Sequence, residues 1–256
     1  MLLRGLDDRD WQRSTMVREW RVKDIAAHLL DGDLRKLSGG RDAYRGPARP
    51  ASGSYADILS FINAQNASGV SFADRLSPRV LVDLIEIAGR WVSEHMRSLS
   101  PHGPASISVL WAGEERSENW MDIGREYTER WHHQMQIRDA VEAAPLLERR
   151  WLDPLLDLSV RAFPRAYAHV DAPTGTVVTF EVAGGYGVWS IVREADAWSV
   201  MRGQAEQRAA AVVADADSAW RLLFHALPVD RAHEVLAITG DAALVEPLLR
   251  TRAVMV

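Results

Sequence analysis

The stretch Ser117-Glu-Asn-Trp-Met-Asp-Ile-Gly-Arg-Glu-Tyr-Thr-Glu-Arg-Trp-His-His-Gln-Met-Gln-Ile-Arg-Asp139 decides the fold of this chain. Neither proline nor a run of β-branched residues interrupts it, so it predicts one long helix from residue 118 to about 141, with Ser117 as N-cap and Glu118 and Asp122 placing negative charge near the first turn. Trp120, Ile123, Tyr127 and Trp131 recur at three- and four-residue steps as an apolar stripe, and Glu126, Glu129, His133 and Gln136 recur beside them as a polar line. Glu129 and His133 stand one turn apart, so both side chains can reach one ion. Read alone, the pair is also the weak favourable pair that any exposed helix offers, and a third ligand has to come from elsewhere in a chain with eight histidines.

The 256 residues, 47% of them apolar, suffice for two ordinary domains or one large one, each with a real core. A net charge of -5 and the scatter of the basic residues give no reason to expect nucleic acid. Absence of cysteine excludes disulfides, thiolate metal sites and a protein-borne thiol nucleophile, so thiol chemistry would need a borrowed thiol. The N-terminus is charged too early for a signal peptide and no apolar run approaches the roughly 20 residues that span a bilayer; the expectation is a cytoplasmic protein with no membrane partner. Only Lys23 and Lys36 are lysines, a bias that GC-rich codon usage produces.

Taken in order, Leu2, Leu3 and Leu6 followed by a polar stretch from Asp7 to Arg13 read as the end of a helix, its beginning missing, and a loop. Val22, Ile25, Ala26, Leu29, Leu30, Leu34 and Leu37 predict an amphipathic helix that Ser38-Gly39-Gly40 ends, with His28 at the border of its apolar face. Helices follow over Tyr55 to about Asn66, from Ser77-Pro78 to about Ser98, and from Leu146 to about His169 with a kink or stop at Pro164. The period changes at Ala172: residues 176–182, 188–193 and 197–202 are consecutive antiparallel strands, with Gly184-Gly185 as a hairpin turn, 209–213 a further strand, and Asp217 to Ala226 and Asp241 to Leu249 helices. The predicted organisation is therefore α plus α+β, a helical bundle over residues 1–165 and a small α+β domain with an antiparallel sheet over 172–256.

Trp20-Arg-Val-Lys-Asp-Ile-Ala-Ala-His28-Leu-Leu-Asp resembles the helix motif of the DinB-like superfamily, specifically the mycothiol-dependent maleylpyruvate isomerase group, and Glu129-x-x-x-His133 resembles its second metal motif. Residues 173–256, with the Gly-Gly hairpin, Ala219-Trp220-Arg221-Leu222 and Ile238-Thr-Gly-Asp241, look like the sterol-carrier-protein-like domain fused to many members. The resemblance implies a four-helix bundle in which His28, Glu129 and His133 hold one divalent metal, zinc or another, with mycothiol as thiol cosubstrate. Three departures stand out: His132 adjoins His133 and could substitute for it, Gln136 occupies a position where the resemblance implies an acid, and the first helix is shortened.

Three such ligands leave a coordination position open, the pattern of a catalytic site. The implied function is a zinc-dependent isomerase, or an S-transferase, that uses the thiol on a small electrophilic, carboxylated substrate, with Arg221 as the cation for the carboxylate. The alternatives are a non-catalytic metal- or ligand-binding module of the same fold, and a hydrolase in which metal-bound water is the nucleophile.

Overall fold

The computed structural model describes residues 2–17, 19–47, 52 and 54–254. The chain divides into two compact units, Met1–Ser106 with Glu118–Pro145, and Ile107–Ser117 with Leu146–Val256.

The first unit is helical. A short 3-10 turn, Leu3–Gly5, precedes α1 (Asp8–Trp11), α2 (Val22–Lys36), α3 (Tyr55–Ala73), α4 (Pro78–Ser98) and α5 (Asn119–Ala140). Residues 7–13 are thus not all loop: Asp7 accepts from the amides of Arg9 and Asp10, and Asp10 returns the bond to the Asp7 amide, a capping box that supports one helical turn. α2 packs against α3, α4 and α5, and its Val22, Ile25, Ala26, Ala27 and Leu30 lie in a core with Trp11, Leu81, Val82, Ala88 and Ile137. Each large aliphatic side chain so buried contributes roughly 1.5–3 kcal/mol. Ser38-Gly39-Gly40 does not stop α2 in a left-handed turn; the chain widens into a π-helical turn over Leu37–Arg41.

Helix α5 runs where its sequence places it, but Ser117 does not cap it. Its hydroxyl accepts from the Val109 amide and donates to Glu114, and Glu118 is the N-cap without a side-chain bond. The polar line turns inward as much as the apolar one: His133 and Gln136 are buried and Glu126 and Glu129 half-buried, while Trp131 is buried and Trp120, Ile123 and Tyr127 are half-buried.

The second unit contains α6 (Arg149–Ser159), α7 (Phe163–Ala166), β1 (Val177–Val182), β2 (Gly187–Arg193), β3 (Trp198–Arg202), β4 (Ala210–Ala214), α8 (Ala216–Leu223), α9 (Val229–Val235), β5 (Ala237–Gly240) and α10 (Ala242–Leu249). Residues 146–167, grouped by periodicity with the bundle, pack on the sheet instead: Phe163 meets Phe180 edge-on at 5.4 Å, Tyr167 lies 4.8 Å from Trp198, and Asp157 accepts from Trp189 and Arg202. The sheet order is β3-β2-β1-β4-β5. It is mixed, antiparallel in every pairing except β1 with β4, which run parallel with Phe180 opposite Val212. Gly184 and Gly185 make the β1–β2 turn with φ of 80° and 78°, a left-handed region that glycine enters at no steric cost.

The parallel pairing requires residues 203–209 to cross from β3 to the far side of β1. Gly203 bonds Val188, level with Glu181, and Ala209 bonds Val177. The connection is short and bent, with turns of the chain at Gly203, Glu206, Gln207 and Ala209. Ser190 fastens this strap, donating to the Gly203 carbonyl and accepting from the Ala205 amide.

Candidate metal centre

Two helices of the first unit bring the expected triad together. On α2 the inward positions hold Ile25, Ala26 and Leu30, which turns His28 to a half-buried border facing α5. On α5 the four-residue step from Glu129 to His133 stacks both side chains on one line. One ligand atom from each of His28, Glu129 and His133 lies within 4.8 Å of the other two. The His28 ring stands edge-on to His133 at 4.7 Å and rests on Trp20 at 5.1 Å.

The donor atoms are arranged as a cation would require. Gln136 presents a carbonyl oxygen, which only accepts, 2.8 Å from His133 Nδ1, so Nδ1 carries the proton and Nε2 the lone pair. That lone pair faces Glu129 Oε2 at 3.5 Å. A positive charge between these two atoms, a proton on Nε2 or a metal ion, relieves that contact; His28 brings one ring nitrogen within 4.8 Å of a donor atom of each, and its Nδ1 is buried without a partner among the described residues. Burial first, and then the nearby His133 side chain, pushes the His28 imidazole down to about 3, so it stands neutral and ready to donate a lone pair. Burial pulls Glu129 upward, but the neighbouring His133, His132 and Arg125 side chains outweigh this and hold it well below the usual carboxylate range. Two neutral imidazoles and one carboxylate suit a divalent metal of the zinc type and leave coordination positions free.

His132 is placed differently. Its Nδ1 is 4.0 Å from Glu129 Oε2 and its ring overlaps His133 at 4.0 Å, but it is deeply buried, bonded to the Thr128 backbone, and pushed down to about 3, by burial first.

Sequence reasoning did not find the ion network beside the triad. Lys36 from α2 is buried and paired with Asp122 and, at 3.9 Å, with Glu126. Arg125 binds Asp122 at 3.1 Å and also Glu126, and Arg130 pairs with Asp33. The signal was the continuation of the polar line through Asp122 and Arg125, at the same helical spacing as Glu129 and His133.

Arg221 lies in the second unit, on α8. Asp217 accepts from its Nε at 2.7 Å and from Trp220 Nε1 at 2.8 Å, and the guanidinium lies 4.7 Å over the Trp220 ring. Asp217 therefore sets the direction of the arginine within its own helix. Among the described residues no helix is long and apolar enough to cross a membrane.

Comparison with solved structures gives the crystal structure of a histidine-to-alanine mutant of the mycothiol-dependent maleylpyruvate isomerase at a TM-score of 0.56 and 11% identity, covering 94% of this chain and 87% of that one. The structure of the same enzyme without that substitution gives 0.55 and 12% over the same shares. At such identity the likeness concerns the fold alone, and it extends through both units. A UbiJ-SCP2 ubiquinone synthesis protein superposes on 40% of the chain at only 0.24. No curated protein matches the sequence. The sequence profile described as mycothiol maleylpyruvate isomerase N-terminal domain matches residues 1–138, which include α2, most of α5, His28, Glu129 and His133. Since that match spans more than half of the chain, the protein belongs to the mycothiol maleylpyruvate isomerase family.

Proposed function

We propose that the protein is a metal-dependent, thiol-dependent isomerase in which His28, Glu129 and His133 hold one zinc ion and mycothiol is the cosubstrate. The observation that supports this most directly is the approach of His133 Nε2 to Glu129 Oε2 at 3.5 Å, with a ring nitrogen of His28 within 4.8 Å of a donor atom of each. A bound divalent metal supplies the positive charge that keeps a thiol ionised at neutral pH. The chain supplies the rest. Glu129 contributes the one anionic donor, the two imidazoles contribute neutral donors, and Gln136 keeps the proton on the far nitrogen of His133. Without cysteine, no side-chain thiol competes with the small thiol for the metal.

Arg221 is the proposed partner of a substrate carboxylate, because Asp217 presents a planar guanidinium suited to bidentate recognition. Its loss should raise KM more than it lowers kcat.

The test is metal content followed by cobalt substitution. Addition of mycothiol to the cobalt protein should produce a sulfur-to-metal charge-transfer band and release about one proton per site, since a thiol of pKa about 8.5 must ionise to bind. Absence of the band, with turnover indifferent to thiol, would sink the thiol mechanism and leave a metal-bound water, hence a hydrolase. A protein that carries no metal would be a ligand-binding module of the same fold.

A further inference from the structure

The residue behind His133 carries information that the triad alone does not. Metal-binding histidines commonly give their second N–H to a carboxylate, which makes the imidazole a stronger donor and adds negative charge near the ion. Here the acceptor is the buried amide of Gln136, one turn along α5, at 2.8 Å from Nδ1. An amide fixes the tautomer and the ring direction equally well and adds no charge.

The remaining charges nearby cancel in pairs. Lys36 and Arg125 are matched by Asp122 and Glu126, Arg130 by Asp33, and Arg35, whose charge reaches His28, by Asp31. A divalent ion on two neutral imidazoles and one carboxylate therefore keeps a net charge of about +1, with none of these carboxylates left unpaired to remove it. We infer that Gln136 is a positioning residue for His133 whose neutrality leaves the centre one positive charge in excess, so that the open coordination position selects an anionic ligand. The excess charge suits a thiolate better than a neutral water or a neutral thiol. This inference rests on the proposed metal site, and it makes position 136 the control of that site's preference for anions.

The test uses full-length wild type, Gln136→Glu and Gln136→Ala, each loaded with cobalt. Metal dissociation constants come from chelator competition, and thiocyanate titrated into the cobalt d–d spectrum serves as a simple anion probe. Gln136→Glu, nearly the same shape, should bind cobalt at least about tenfold more tightly and thiocyanate about tenfold more weakly, whereas Gln136→Ala should lose roughly 10–100-fold in metal affinity. A merely structural Gln136 predicts instead that both variants bind metal more weakly, in step with their loss of melting temperature in the metal-free form. That result, or unchanged metal and thiocyanate affinities in Gln136→Glu, overturns the inference while leaving the metal site standing. Failure of the wild type to bind cobalt at all removes both.

Discussion

Exchange of His133 and of His132 for alanine, one at a time, should give opposite orders of damage in two assays. The two rings differ by only half an ångström in their approach to Glu129, 3.5 Å against 4.0 Å, so distance to that carboxylate does not choose between them. What chooses is His28, whose donor atom closes the triangle with Glu129 and His133, while His132 is committed to the Thr128 backbone. Apparent binding energies of about 10–16 kcal/mol at four-ligand zinc sites amount to about 2.5–4 kcal/mol per ligand. His133→Ala should therefore weaken metal binding by roughly two to three decades, and His132→Ala by less than about tenfold. Metal-free stability should show the reverse. His132 is almost fully enclosed, and its truncation leaves a cavity worth about 2 kcal/mol. His133→Ala removes a ring that is less enclosed than His132 and should cost less. Chelator competition measures the first quantity and thermal unfolding of the metal-stripped proteins the second. Equal losses of metal affinity in the two variants would refute the assignment of ligands.

Three further outcomes are expected. The metal-free protein should lose stability as pH falls from about 6.5 towards about 3, because the His28 and His132 imidazoles are depressed to about 3 when folded and titrate near 6.5 when unfolded; their contribution is whole above 6.5 and declines below it. A melting temperature that stays flat from pH 7 to 4.5 would contradict this. Lys36→Met should destabilise the metal-free protein by about 3 kcal/mol, the low end for breaking a buried ion pair, because Arg125 still holds Asp122; a neutral effect in chemical denaturation would show that the pair is not buried in solution. Gly240→Ala should cost more than about 3 kcal/mol, since the backbone there has φ of 88° and a Cβ would lie 2.1 Å from the Ala209 carbonyl oxygen, which cannot move without disturbing β4; circular dichroism melting reads it directly.

The triad was legible because helical spacing alone brings Glu129 and His133 to one place, and the motif around His28 supplied the third donor. The lysine and arginine network was not, because charged residues on a helix ordinarily face water; only the packing of α2 on α5 shows that Lys36 and Asp122 are enclosed together. Ser117 fits the composition of a cap, yet its hydroxyl was taken by Val109, a partner eight residues away in sequence. The apolar face of α6 was visible, but periodicity does not say which unit a helix joins; Asp157 of α6 accepts from Trp189 of β2, and the helix belongs with the sheet. The strands β1 to β3 followed from alternation, whereas the direction of β4 depends on a connection whose composition carries no strand or helix period. Four residues, Ala237–Gly240, are too few to show a pattern, so β5 was missed.

That connection also works as a length gauge. Because Ser190 holds the connection at Gly203 and Ala205 and β1 holds its far end at Ala209, only a few residues are free to adjust, and an added residue is taken up more easily than a lost one. Insertions before Arg208 should be absorbed as a bulge over the outer face of the sheet. A deletion must be recovered by sliding β4 along β1, and a slide of one residue would turn Ala211 and Val213 to the side now taken by Ala210, Val212 and Ala214. Evolutionary drift in this part of the molecule should therefore be one-sided, towards longer crossings.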